Sequence, residues 1–388
     1  LRMGRFFPRD TAMRDLLARW VAAWDHFWFE PADSATLGLL RWFSGGMLLY
    51  THLVWGLALQ PFFGPDGWQD QLLVQHSLRD TLAPSFWWSV PPSLLGVTHG
   101  ACLLILLLYW VGLFHRVTPW LAFAITVSYI NRVPLANFGL DQINSLLVAY
   151  VAVGSLGLPT PDARLTTDRA WFRWRQQPPQ QIVSPSLSPQ PRVSVRLALR
   201  LVQVHLCVIY FGAGLSKLKG LSWWTGDAVW LAVANREYQS YDLTWLAWSP
   251  WLINLVSVGT VAWEMTFWLL IWHPRLRWPV LLAGLGMHTG IGLCLGMWTF
   301  GLVMEMGYIA FVRPESLLAW GDWFRHFFPG NPPAPADPAP AAPTTNGPPA
   351  PGCPSSSTSS EQLAVPHSTL APSTTGTGQP LPQPYPAG

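Results

Sequence analysis

Charge is what this chain has least of. Asp, Glu, Lys and Arg make up 11% of its 388 residues, where an ordinary soluble domain carries about 25%. So few charges cannot coat the two or three soluble domains that this length would otherwise allow. A net charge of +3 is too small to argue for a nucleic-acid partner. Cysteine is scarce too. Cys102, Cys207, Cys294 and Cys353 are scattered, and three of them lie in apolar runs. That excludes a disulfide framework and zinc-ligand spacing, so no metal site is expected and the redox compartment stays open. The basic N-terminus lacks the uninterrupted apolar stretch of a signal peptide. The chain opens at Leu1 rather than Met, which points to a fragment, an unusual start codon or a start near Met3. GxxxxGK[ST], GxSxG and HExxH are missing, as is a GxGxxG in suitable context, and their chemistries are set aside.

What is there is apolar. Half the residues are hydrophobic and 25 are Trp, whose indoles favour the headgroup level of a bilayer. A spanning helix needs roughly 20 largely apolar residues. The expected fold is therefore an all-α integral membrane protein, a multi-pass bundle of about eight transmembrane helices. Clear spans cover 35–59, 95–114, 196–218, 251–272 and 278–299. The run 117–158 is broken by Asn131–Pro134 into two helices, and 301–313 is a short eighth. Residues 1–34 form an N-terminal segment in which 11–29 reads as an interfacial helix. Asp33 or Ser34 can cap the first span. The membrane domain occupies 35–313, with a flexible connector at 159–195, and a short amphipathic segment follows at 314–329. From 330 to 388 the composition turns to Pro, Ala, Ser and Thr, too poor in apolar surface to offset ordering entropy, so a disordered tail is expected.

Lysine and arginine concentrate on the cytoplasmic side of membrane proteins. With the N-terminus inside, 17 of the 23 basic residues fall on that side. The tail then lies inside as well. Ionisable residues within spans are costly, so they pair, face a cavity, or work. The candidates are Arg41, His52, Asp141, His205, Lys217, Glu264, His288 and Glu305. Arg41 is expected to snorkel to the inner headgroups, His52 and His205 to bond neighbouring helices, Asp141 to cap a helix or join a site, and Glu305 to be solvated near a span end. Lys217 follows small residues (Gly212, Ala213, Gly214, Ser216) that let another helix approach. It is either a desolvated base or an interfacial lysine at the outer headgroups. Glu264 sits mid-span and needs a partner. Gly284, His288, Gly292 and Gly296 share one helix face, which suits a packed seam or a narrow cavity.

Residues 25–313 also resemble the horizontally transferred transmembrane (HTTM) domain family, related to vitamin K-dependent gamma-carboxylase. The resemblance rests on FEPADSATLGLLRWFSG with its Arg41-Trp42 pair, and on VIYFGAGLSKL, which contains Tyr210. It implies that Lys217 is a catalytic base that deprotonates a vitamin K hydroquinone or menaquinol so that it reacts with oxygen. It further implies roles for His288, followed by Gly296-Met297, and for Glu264, with Asp141, His205 and Tyr210 toward substrate. Where the family has a histidine before the fourth span, this chain has NFGLDQIN, and Ile291 replaces an asparagine. The family's lumenal β-rich region has no counterpart in 314–388. Carboxylation of a glutamyl protein is therefore not expected. The sequence expectation is a lipophilic quinol-dependent oxidoreductase in a bacterial inner membrane, with the bilayer and a quinone as partners. The alternatives are a non-enzymatic accessory or immunity-type module, or a small-solute transporter. Inverted repeats that would favour transport are not apparent.

Overall fold

The computed structural model describes residues 9–175 and 189–319, apart from 318. The expected disordered tail, most of the 314–329 segment and the centre of the connector lie outside the described residues. All regular structure among the described residues is helical, with one isolated antiparallel bridge between Ala32 and Arg192. The principal helices are α1 (Arg9–Phe29), α2 (Ala35–Leu57), α3 (Leu95–Val111), α4 (Thr118–Arg132), α5 (Gly139–Leu156), α6 (Thr167–Arg175), α7 (Val193–Lys217), α8 (Pro250–Leu270), α9 (Arg277–Leu295) and α10 (Trp298–Tyr308).

Five helical stretches among the described residues are long and apolar enough to cross a bilayer: Pro92–Val111, Gly139–Leu156, Val193–Lys217, Pro250–Leu270 and Arg277–Leu295. The other three expected spans fall short for different reasons. α2 has the length, at 23 residues, but carries Arg41, Ser44, Thr51 and His52. α4 has 15 residues and α10 has 11. The outward faces are apolar, with Leu104, Val208, Leu255, Trp268 and Leu282 exposed. The interior is where polarity collects: Ser44, Thr126, Asn144, Ser257, Glu264 and His288 are all buried. A water-soluble bundle has the reverse distribution.

Local sequence explains the helix ends. The break expected at Asn131–Pro134 is present, because Pro134 cannot continue α4 and a single 3-10 turn leads into α5. Asp141 accepts the Phe138 N–H at 3.0 Å and so caps α5. At the start of α2 the two expected caps divide. Asp33 accepts the Ala35 N–H at 2.8 Å, whereas the Ser34 hydroxyl donates to the Asp162 carbonyl at 2.5 Å.

α3 ends at Gly112, whose φ of +77° suits glycine and lets its N–H reach the Leu108 and Tyr109 carbonyls. That end also receives Arg41, which corrects the expected snorkelling. Arg41 is 3% exposed. Its guanidinium donates to the carbonyls of Tyr109, Trp110 and Leu165, so the orphan acceptors at a helix C-terminus satisfy the charge. A Cβ at residue 112 would lie 2.9 Å from the Arg41 Cζ.

The connector is also more ordered than expected. Residues 160–162 form a 3-10 turn and α6 follows. Asp33 pairs with Arg164 at 2.9 Å, Asp162 with Arg192 at 2.6 Å and Glu30 with Arg196 at 2.6 Å. Buried His115 meets Asp168 at 2.8 Å and the Leu158 carbonyl at 3.1 Å. Burial alone would raise the Asp168 carboxyl. The His115 N–H, the His115 ring and the Phe114 N–H outweigh it and hold the group below its ordinary value. Arg132, at the end of α4, is fully buried and donates to the Gln69 and Gly64 carbonyls at 3.1 and 3.0 Å.

Candidate functional site

Lys217 is the last residue of α7, and its Nζ donates to Glu264 Oε1 of α8 at 2.8 Å. Glu264 is fourteen residues past the start of α8 at Pro250, which places the pair roughly 21 Å along that helix. Lys217 therefore meets α8 well beyond the start of that helix. Helix α7 stops inside the bundle, and short helices at Leu221–Thr225 and Ala228–Val233 pack on the first half of α8 beyond it. The Glu264 side chain is 6% exposed and that of Lys217 23%. The Trp223 ring lies 5.3 Å from Nζ, within cation–π range. Glu264 Oε2 is buried and has no protein partner.

A second cluster sits two turns back on the same face of α7. The Tyr210 hydroxyl lies 2.9 Å from His288 Nε2 and 2.5 Å from the Tyr308 hydroxyl. It thus joins α7, α9 and α10. Trp263, the neighbour of Glu264, packs edge-on against Tyr210 with ring centroids 4.8 Å apart. The Lys217–Glu264 ion pair and the phenol–imidazole cluster therefore share one wall. The glycine face of α9 turns out to be a packed seam. A Cβ at Gly284 would strike the Tyr308 hydroxyl and the Trp263 ring, and one at Gly292 would meet Trp298 at 2.8 Å. Gly296 instead ends α9 with φ +70°.

Of the residues expected to act together, Lys217, Glu264, Tyr210 and His288 are brought onto this wall. Asp141 and His205 are not bonded to it. His205 Nδ1 meets the Tyr150 hydroxyl of α5 at 2.6 Å, as expected for a histidine that bonds a neighbouring helix. Glu305 is not simply solvated, since Thr289 donates to it at 2.8 Å. Tyr308 and Trp223 escaped the sequence reading. Tyr308 had one signal, a hydroxyl in the apolar run VMEMGY that needs a buried partner. Trp223 had none, because a tryptophan near a membrane boundary is commonplace.

No family model, curated protein or solved structure matches this chain. The site must therefore be judged on its own chemistry. Groups of three or more His, Cys, Asp or Glu that could hold a metal ion are absent among the described residues. What the wall offers is a proton donor–acceptor pair beside an imidazole–phenol–phenol chain, with the Trp223 indole near the ammonium. It can take up or pass on a proton from an apolar molecule that bears a hydroxyl.

Proposed function

We propose that the chain is a multi-pass protein of a bacterial inner membrane that oxidises a lipophilic quinol, with Lys217 as the base. The observation that carries this reading is the buried Lys217–Glu264 contact at 2.8 Å. Two charged groups lifted from water without a function are no more stabilising than an apolar pair of the same volume. As an acid–base device they have a use. When the shared proton sits on Glu264, Lys217 presents a neutral amine. The amine takes the proton of a quinol hydroxyl, giving a quinolate that pairs with the new Lys217 ammonium. Glu264 keeps its proton and accepts from that ammonium through its unprotonated oxygen. Tyr210, His288 and Tyr308 extend the hydrogen-bonded wall along which the hydroxyl end of the substrate lies. The resemblance to the HTTM family supports the same role for Lys217 and supplies oxygen as the partner of the quinolate.

The same reading includes eight spans. α2, α4 and α10 cross or enter the bilayer because they are enclosed by the five more apolar helices. The N-terminus and the 330–388 tail lie in the cytoplasm. The distribution of arginine supports this orientation, as does the tight ion-paired cluster at the end of the bundle that carries Asp33, Asp162 and Arg192.

The test is turnover of reduced menaquinone, or vitamin K hydroquinone, by the purified protein in lipid nanodiscs. The wild type should form quinone or epoxide at least about a hundredfold faster than Lys217→Ala, the range of a lost general base. Equal rates in the two proteins would refute the reading. They would leave the ion pair as a structural tie between α7 and α8, the role expected of an accessory module.

A further inference from the structure

A second cavity system lies between α2, α4 and α5, away from the Lys217 wall, and it has two parts of different chemistry. A polar void of about 10 Å³ is lined by His52, Thr51, Thr126, Asn137, Asp141 and Asn144, among others. It adjoins an apolar chamber of about 470 Å³ lined by Tyr50, Val54, Trp55, Leu57, Phe62 and Phe138, among others. Thr51, Trp55, Leu140 and Asp141 border both. The larger part has the volume of a small-molecule site.

The polar end is matched to one kind of head group. Several of its hydrogen-bond donors are already engaged by carbonyls of the protein. Thr51 donates to Leu48 at 3.0 Å, Thr126 to Ala122 at 2.8 Å and Asn137 to Ile130 at 2.7 Å. His52 Nδ1 lies 2.8 Å from the Leu48 carbonyl. A carbonyl can only accept, so Nδ1 carries the hydrogen and Nε2 is left as a lone pair. Both His52 Nε2 and Asn144 Oδ1 are buried and have no protein donor. Asp141 adds a carboxylate, one oxygen of which is held by Phe138 N–H. Three acceptors from two elements, α2 and α5, thus meet around one void, and two of them have no protein donor. Buried acceptors of this kind call for a donor from outside the protein.

We propose that this is a binding site for a lipophilic alcohol, its hydroxyl donating to the His52, Asn144 and Asp141 acceptors and its hydrocarbon filling the chamber. The aromatic lining from Tyr50 to Phe62 suits a long-chain or isoprenoid alcohol. An anionic head is excluded, since it brings acceptors to acceptors. The site uses none of the Lys217 wall, so it stands or falls separately from the quinol reading.

The probe is a diazirine-bearing long-chain alcohol, compared with its methyl ether, cross-linked to the full-length protein in nanodiscs and mapped by peptide mass spectrometry. The alcohol should label peptides covering 50–62 and 136–141, and the ether, which has no donor, should label them about five- to tenfold less. His52→Phe keeps the ring volume and removes the acceptor, and should bring alcohol labelling down to the ether's level. Val54→Trp fills the chamber and should reduce both probes. Lys217→Ala should change neither. Equal labelling by alcohol and ether in the wild type would overturn the proposal, because it shows an acyl-chain groove with no head-group recognition. Undiminished alcohol labelling in a folded His52→Phe protein would overturn it as well.

Discussion

Replacing Lys217 by methionine isolates what the buried pair does for the fold. Methionine keeps the length and packing of the lysine stem and removes only the ammonium. Glu264, 6% exposed at its side chain, is then left with Oε1 unpaired in addition to Oε2, which already lacks a partner. Stranding one member of a buried ion pair costs about 3–5 kcal/mol. Lys217 itself is 23% exposed, so some water reaches the site and the lower end, about 3 kcal/mol, applies. That corresponds to a fall in thermal midpoint of roughly 6 °C or more. The reverse substitution, Glu264→Leu, strands the less enclosed lysine, which can reach water, and should cost less. The double variant leaves no uncompensated charge and should be more stable than Lys217→Met alone. The assay is thermal unmasking of Cys102 and Cys207, both buried, read with a thiol-reactive fluorophore. Strictly additive effects of the two substitutions would refute the pair as an energetic unit, as would a Lys217→Met protein with an unchanged midpoint.

Arg41→Lys should destabilise the protein by about 1.5–3 kcal/mol, because one ammonium cannot fork to the carbonyls of Tyr109, Trp110 and Leu165; a midpoint within 1 °C of wild type, a shift of roughly that size being negligible, would contradict the capping role. Gly284→Ala should cost about 1–3 kcal/mol by driving Tyr308 away from Tyr210, whereas Gly286→Ala, whose Cβ would meet nothing within 4 Å, should be neutral in the same thermal assay. The Asp168–His115 contact should contribute stability above the ordinary carboxylate range and lose it as pH falls through the lowered native value of Asp168. The midpoint gap between wild type and Asp168→Asn should therefore be constant above about pH 5 and close below about pH 4; a gap independent of pH would count against it. Alkaline phosphatase fused after residue 65 or 225 should be active and fusions within 165–190 inactive, and the opposite pattern would reverse the orientation.

Much of the helical plan was legible because it follows from apolar run length and from proline. Asn131–Pro134 announced the α4–α5 break, and four of the five clear spans, all but 35–59, correspond to helices long and apolar enough to cross a bilayer. The partnership of Lys217 with Glu264 was not legible. The two residues are 47 positions apart, and sequence alone showed only that each needed a partner. The position of Lys217 along α8 was hidden for a related reason. It is set by where α8 begins relative to α7, and the short helices between them carry no periodic signal strong enough to place them. Arg41 was misread because a basic residue near a helix end resembles a snorkelling one until the carbonyls that receive it are known. The polar void escaped attention because its acceptors lie on different elements. His52 by itself reads as an ordinary core histidine.

The anchorage of Arg41 bears on how the chain is assembled. Its three carbonyl partners are 68, 69 and 124 residues further along. When α2 first emerges from the ribosome, none of them has been synthesised. A bare guanidinium within a nascent span opposes insertion by up to about 2.5–3.5 kcal/mol, and α2 is not among the stretches apolar enough to cross unaided. Its residence in the bundle is thus granted retroactively, first by the end of α3 and then by Leu165 beyond α5. Stable insertion of α2 is therefore expected to be completed only once the end of α3, and then residue 165, have been made.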